Sequence, residues 1–265
     1  MTREKKKELI TASAFLILLA AVLLLAKILF PEPKEQPFIL TFSEEKLYHI
    51  IKEMPLQERK KMLQAGQKVL YWQQALKMTN ENILTEVTGG KLDVKKLAHY
   101  PKGDVFDNDT LAGYFYHSHR EKEHGHFHIF FGNDKFGGNG LLLDKPYTHI
   151  IAISVDHLGN PKSLFTVNQW VTGETWRKAD EICNNLPDFA IGHAFPSYAV
   201  NQWLTAMVQL FRPQIMELIQ KRDDLMAQYS QKKGIKNIYK VKCLEIITES
   251  PISIEDQMRI IARTL

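Results

Sequence analysis

Cysteine is nearly missing from this chain of 265 residues, with only Cys183 and Cys243 present. The two make no CxxC spacing, which excludes a disulfide scaffold, a thiolate zinc site and a dithiol redox centre. They could form one bridge, but each is read here as a small buried thiol, the commoner use of an isolated cysteine. An excess of one charge is missing too. The net charge of +4 leaves 34 basic against 30 acidic residues. These are interleaved, as in Gln220-Lys221-Arg222-Asp223-Asp224, so no basic face for nucleic acid arises. Repeats and low-complexity tracts are also lacking. With 45% hydrophobic and 24% charged residues, a sizeable core can form.

One long apolar run is present. Leu9 to Ala26 carries no charge, and at about 1.5 Å per residue it spans roughly 27 Å, close to the hydrocarbon thickness of a bilayer. Lys27 can snorkel, Ile28 to Phe30 extend the run, and Pro31 and Pro33 end it. A cleaved secretory signal has a shorter core and a small-x-small site, which Leu24-Leu25-Ala26-Lys27-Ile28 does not offer. The run is therefore predicted to be a single transmembrane anchor, with the lipid bilayer as its partner. Arg3, Lys5, Lys6 and Lys7 precede it, against Lys27 and Lys34 close after it. This places the N-terminus in the cytoplasm and the main domain in the periplasm of a bacterial inner membrane.

Residues 1–30 are thus read as N-terminus and anchor, 31–43 as a linker, and 44–265 as one α+β domain. Ser43 followed by Glu44 and Glu45 marks a helix start. A second helix runs from about Pro55 to Met78, with Met62, Val69, Leu70, Trp72 and Leu76 at helical spacing. From Leu111 the period changes. LAGYFYHSHR, HFHIFFG, THIIAISVD and SLFTVNQW are β-rich runs separated by turn residues, which predicts a roughly four-stranded antiparallel meander. Helices return from Thr172-Gly173-Glu174 to about Asn185 and from Pro196 or Ser197 toward Lys232, with a break at Pro213. A last one covers Ile254 to Arg263. Helices therefore flank the sheet. Trp170 and Trp203 are read as core residues, Arg212 as a partner of Glu174 or Asp223, and Gly137 to Gly140 as a surface loop.

The segment Tyr114 to Phe131, YFYHSHREKEHGHFHIFF, contains five of the ten histidines. Side chains alternate faces along a strand, so His117 and His119 share one face, and His124, His126 and His128 share one face of the next strand. A four-residue turn at Arg120 to Glu123 would set His119 against His124 and His117 against His126. All five would then project from one side, with opposed Cβ atoms about 4.5–5.5 Å apart. Imidazoles so placed can converge on zinc, copper or iron, and no Cys or Met lies in the hairpin to favour Cu(I). Glu123 is a possible additional ligand, and Asp156 and His149 are more distant candidates. The opposing account makes the histidines half-buried polar residues that bond one another and water.

Three resemblances are carried by quoted residues. His124-Gly125-His126-Phe127-His128-Ile129-Phe130 resembles the signature of histidine-triad nucleotide hydrolases, which would make His126 a nucleophile, although Gly125 stands where that family has a bulky apolar residue. His117, His119 and Glu123 resemble the start of a cupin metal motif, without a second motif to complete it. YFYHSHR…EHGHFHIFF, HIIAISVDHLGNPKSLFTVNQWVTGE and NQWLTAMVQLFRPQI together resemble a bacterial family of unknown function, which implies one continuous architectural unit and no stated activity. Three functions follow as expectations. The first is a membrane-anchored protein binding a transition metal through the hairpin. The second is a metal-dependent hydrolase or oxidoreductase using the same histidines. The third is an accessory subunit bound to a membrane-protein partner, with structural histidines.

Overall fold

Ser43 caps the first helix through its hydroxyl, which accepts from the Lys46 amide at 3.1 Å, and Glu44 and Glu45 favour the positive end of the helix dipole. This helix, α1, covers Glu44–Glu53. Pro55 precedes α2, Leu56–Met78, and a short α3 covers Ile83–Thr88. The computed structural model describes residues 17–18, 21, 34–91, 94–121, 123–137 and 146–265. Among them no helix is long and apolar enough to cross a membrane. The predicted anchor falls on residues of which only 17, 18 and 21 are described, and the Gly137 to Gly140 loop is described only at Gly137. Residues Gln36–Leu265 cluster as one unit, separate from Met1–Glu35.

The sheet of this unit corrects the four-stranded expectation. Among the described residues it has seven strands in the order β1-β7-β6-β5-β4-β3-β2: β1 Phe38–Ile39, β2 Tyr100–Asp107, β3 Ala112–His117, β4 Gly125–Gly132, β5 Tyr147–Val155, β6 Pro161–Val167 and β7 Ile246–Pro251. Strands β3 to β6 are the expected meander. The other three lack an alternating signal. A two-residue strand, β1, has no period to read and lies within the stretch taken as a linker. Pro101 and Gly103 interrupt β2, and its pairing with β3 shifts between Tyr100 and Val105. β7 follows two helices and returns to pair with β6. The sheet is mixed because β1 runs parallel to β7.

After β6, Asn168 caps the four-residue α4, Gln169–Thr172, and Gly173 ends it at φ +68°. The helix expected to start at Thr172 therefore stops there, because glycine in the left-handed region is a terminator. The next one, α5, covers Ala179–Asn185. α6 is Tyr198–Leu210 and α7 is Arg212–Lys233. Pro213 lies in the first turn of α7, where its missing N–H leaves no hydrogen bond unmade. α8 is Ile254–Thr264.

One face of the sheet carries Tyr114, Phe127, Leu164 and Thr248, and the helices cover it. The Tyr114 hydroxyl donates to Asn201 of α6 at 2.7 Å, Phe127 packs on Trp203, and Thr248 donates to the Leu218 carbonyl of α7. The core gathers there, with Trp203 fully buried. Arg212 pairs with Glu58 at 2.8 Å, not with Glu174 or Asp223. Asp223 instead meets Arg222, which lies over Trp176. Both cysteines are free thiols. The opposite face of the sheet carries the histidines.

Candidate metal centre

β3 and β4 pair His117 with His126 and Phe115 with His128. Strand alternation then sets these four side chains on one face. His117, His126 and His128 are 7%, 1% and 1% exposed, and one nitrogen from each lies within 4.8 Å of those of the other two. The Nε2 atoms of His117 and His126 are 2.7 Å apart, and those of His117 and His128 are 3.1 Å apart. These three residues can hold a metal ion.

The outer nitrogens of two rings are already engaged. His126 Nδ1 bonds the Glu123 carboxylate, and His128 Nδ1 lies 2.9 Å from His149 Nε2. With Nδ1–H donated to Glu123, His126 is left with a lone pair on Nε2. With Nδ1–H donated to His149, His128 is left with the same. Three ring nitrogens then face one another with at most one proton among them, on His117. A cation placed between them would satisfy the remaining lone pairs. A ligating histidine held from behind by a carboxylate or a second polar group is the usual outer support of a metal site.

Electrostatics keep these rings neutral. Burial, reinforced by the neighbouring imidazoles of His126 and His119, lowers His117 to about 2. Burial likewise holds His126, His128 and His149 well below the ordinary histidine range, helped by adjacent rings and, for His149, by Arg222. Neutral imidazole is the metal-ligating form. Burial pushes Glu123 up, while a Ser154 hydrogen bond and the Arg120 charge pull it back. Arg120 reaches Glu123 at 3.1 Å and Glu249 at 3.0 Å and lies over Phe165, whose ring meets that of His126.

Glu123 thus stands behind His126, outside the set of converging nitrogens. His119 is half-buried, its ring 4.8 Å from that of His117 and 5.0 Å from that of His126, at the edge of the cluster. His124 leaves the group. Its Nδ1 bonds the Tyr116 hydroxyl at 2.5 Å, and Tyr116 points to the helix-covered face. The ladder ends at His117 and His126, so His124 belongs to the turn and is free of strand alternation. Gly125 makes this possible: a Cβ there would meet the Tyr116 hydroxyl and the His117 carbonyl oxygen. Gly125→Ala is expected to destabilise the domain by about 1–3 kcal/mol, the usual cost of overpacking, measurable as a lower urea midpoint with an unchanged slope. Asp156, the other distant candidate, bonds the Leu158 and Asn160 amides and holds the β5–β6 turn.

His149 joins the centre because of a bulge. Ile129 pairs with Ile151 but Phe130 pairs with His149, so one extra residue of β5 is accommodated. The parity of β5 flips there and turns His149 onto the histidine face. Glu174 accepts from the His149 amide, is fully buried, and is raised by burial to about 8 against the opposing pull of Arg222. One of its oxygens has no hydrogen-bond partner among the described residues. His99, given no role in the sequence, stacks flat on Phe115 at 3.8 Å and bonds Asp104 at 2.8 Å.

No curated protein and no solved structure matches the chain. A family model does match, across residues 63–252, which take in His99, the three converging histidines, Glu123, His149 and Glu174. With well over half of its length inside that match, the chain belongs to the family described as domain of unknown function DUF6969.

Proposed function

We propose that the chain is a transition-metal-binding protein whose ion is held by His117, His126 and His128. The observation that supports this most is the convergence of three buried, neutral imidazoles whose outer nitrogens are in part already engaged. Three ring nitrogens that lie within 4.8 Å of one another, two of the contacts at 2.7 and 3.1 Å, leave a gap that a single cation can bridge. Three imidazoles suit zinc, copper or iron. Glu123 and His149 orient the rings of His126 and His128, and Arg120 balances the charge of Glu123. Atomic absorption on protein loaded with zinc and then desalted is the test. About one equivalent of bound metal supports the reading, and protein that retains none rejects it.

Catalysis at that ion is the second reading, favoured by the number of donors. Three protein ligands leave a coordination position open to water or substrate, the pattern of catalytic zinc, whereas structural zinc is closed by four. When bound, such an ion supplies a Lewis acid and an activated water. The protein's own part is to keep the imidazoles neutral and their rings oriented. Glu123→Gln keeps the size but weakens the acceptor behind His126. It is expected to lower zinc affinity about 10–100-fold, the usual effect of losing an outer support. Competition with a chromophoric chelator measures this, and an unchanged affinity would remove Glu123 from the centre.

A further inference from the structure

The histidine face has a second feature, at the end of β2, β3 and β4 away from the turn that carries Glu123. A cavity of about 440 Å³ opens there, within the size range of small-molecule sites. Phe106, Phe115, Phe130 and Tyr147 form its aromatic walls, and Asp104 and Asp134 supply carboxylates. No lysine or arginine is among the described residues that line it. The cavity shares two walls with the metal centre. The Phe115 ring lies 5.2 Å from His117 and 5.0 Å from His128, and the Phe130 ring lies 5.3 Å from His149. A molecule in the cavity is therefore separated from the ligating rings by one layer of aromatic side chains.

The backbone around the opening is bent in an uncommon way. Gly103, Asp104 and Leu111 all line it and have φ of +93°, +58° and +60°. Two of these are non-glycine residues in the left-handed region, a conformation retained where the surroundings demand it and concentrated at ligand sites. Asp104 lies within the register shift of β2, and His99, stacked on Phe115, bonds its carboxylate at 2.8 Å.

We propose that this cavity binds a small organic cation carrying a flat apolar ring, an arylalkylamine in chemical class, beside the metal centre. Aromatic faces attract cations through their quadrupole. The two carboxylates among the described lining residues disfavour an anion and favour an ammonium group, and stacked walls favour a planar ring over a branched chain. The placement beside the ion rests on the metal reading, but the binding itself does not.

Benzylamine is the probe, with benzyl alcohol and benzoate as its neutral and anionic counterparts, titrated by NMR against the full-length chain. Benzylamine should bind about tenfold more tightly than benzyl alcohol, and benzoate should not bind. Asp104→Asn should remove that advantage, since asparagine accepts the same left-handed backbone as aspartate and leaves the fold intact. Equal binding of benzyl alcohol or benzoate overturns the ligand class, and no binding of any of the three overturns the site. In cobalt-loaded protein the protons of bound benzylamine should relax faster, and this enhancement should vanish in His117→Ala. Absorption bands of bound cobalt show separately whether the metal reading holds. Cobalt bound without relaxation of bound benzylamine overturns the placement alone.

Discussion

Zinc returned to chelator-stripped protein is expected to raise its melting temperature by about 5–10 °C at a hundredfold excess over Kd. A ligand at 100 Kd that binds only the folded state stabilises by about 2.7 kcal/mol, and a domain of this size shifts roughly 2–4 °C per kcal/mol. In His117→Ala/His126→Ala the shift should disappear, because two of the three converging nitrogens are gone and His128 alone cannot order the ion. The double variant also loses two buried rings, so its metal-free melting temperature is expected to fall. The comparison that decides is therefore the zinc-induced change within each protein. A double variant that gains as much as the wild type would place the ion elsewhere. A wild type that gains nothing would leave the histidines as a structural cluster.

Acid is expected to unfold the metal-free domain early, through the same residues. His117, His126, His128 and His149 stay neutral when folded, with His117 lowered to about 2, while in the unfolded chain each titrates near 6.5. Below pH 6.5 the unfolded state thus binds up to four protons that the folded state refuses, and each one steepens the loss by about 1.4 kcal/mol per pH unit. This contribution is complete above 6.5 and is lost as pH falls toward the folded values. Glu174 acts in the opposite direction. Its folded pKa is raised to about 8, so its contribution is full below 4.5 and declines as pH rises toward 8. Burial gives Glu123 the same sign. Four imidazoles outweigh two carboxyls between pH 4.5 and 6.5, so the slope stays positive. Urea unfolding should lose several kcal/mol between pH 7 and pH 5. Equal stability at the two values would mean that the rings are protonated in the folded state. Bound zinc should delay the loss, since protons and metal compete for the same lone pairs.

The parts of this centre that could be read in the sequence are those set by period-two alternation. His117 and the pair His126 and His128 lie on regular strands joined by a short turn, so their common face follows from spacing. The helices around Ser43, Pro55 and Pro213 are legible for a similar reason, as each boundary carries its own capping or breaking residue. His124 turns toward Tyr116 instead, because the β3–β4 ladder ends at His117 and His126 and the chain at His124 is free of strand alternation. The face that His149 occupies is not legible, because a bulge reverses the parity of β5 and no residue of that strand announces it. The strand β2 was hidden by Pro101 and Gly103, β7 by the two helices before it, and β1 by its length. The burial of Glu174 depends on the packing of Arg222 and the β6–α4 segment around it, which no local pattern encodes.

The most direct test is anomalous diffraction at the zinc edge from crystals of the zinc-loaded protein. A single strong peak about 2.0–2.1 Å from the ring nitrogens of His117, His126 and His128, with Glu123 still bonded to His126, is the expected result. A peak at other residues, or none while the three rings remain in contact with one another, would contradict a metal centre built on this hairpin.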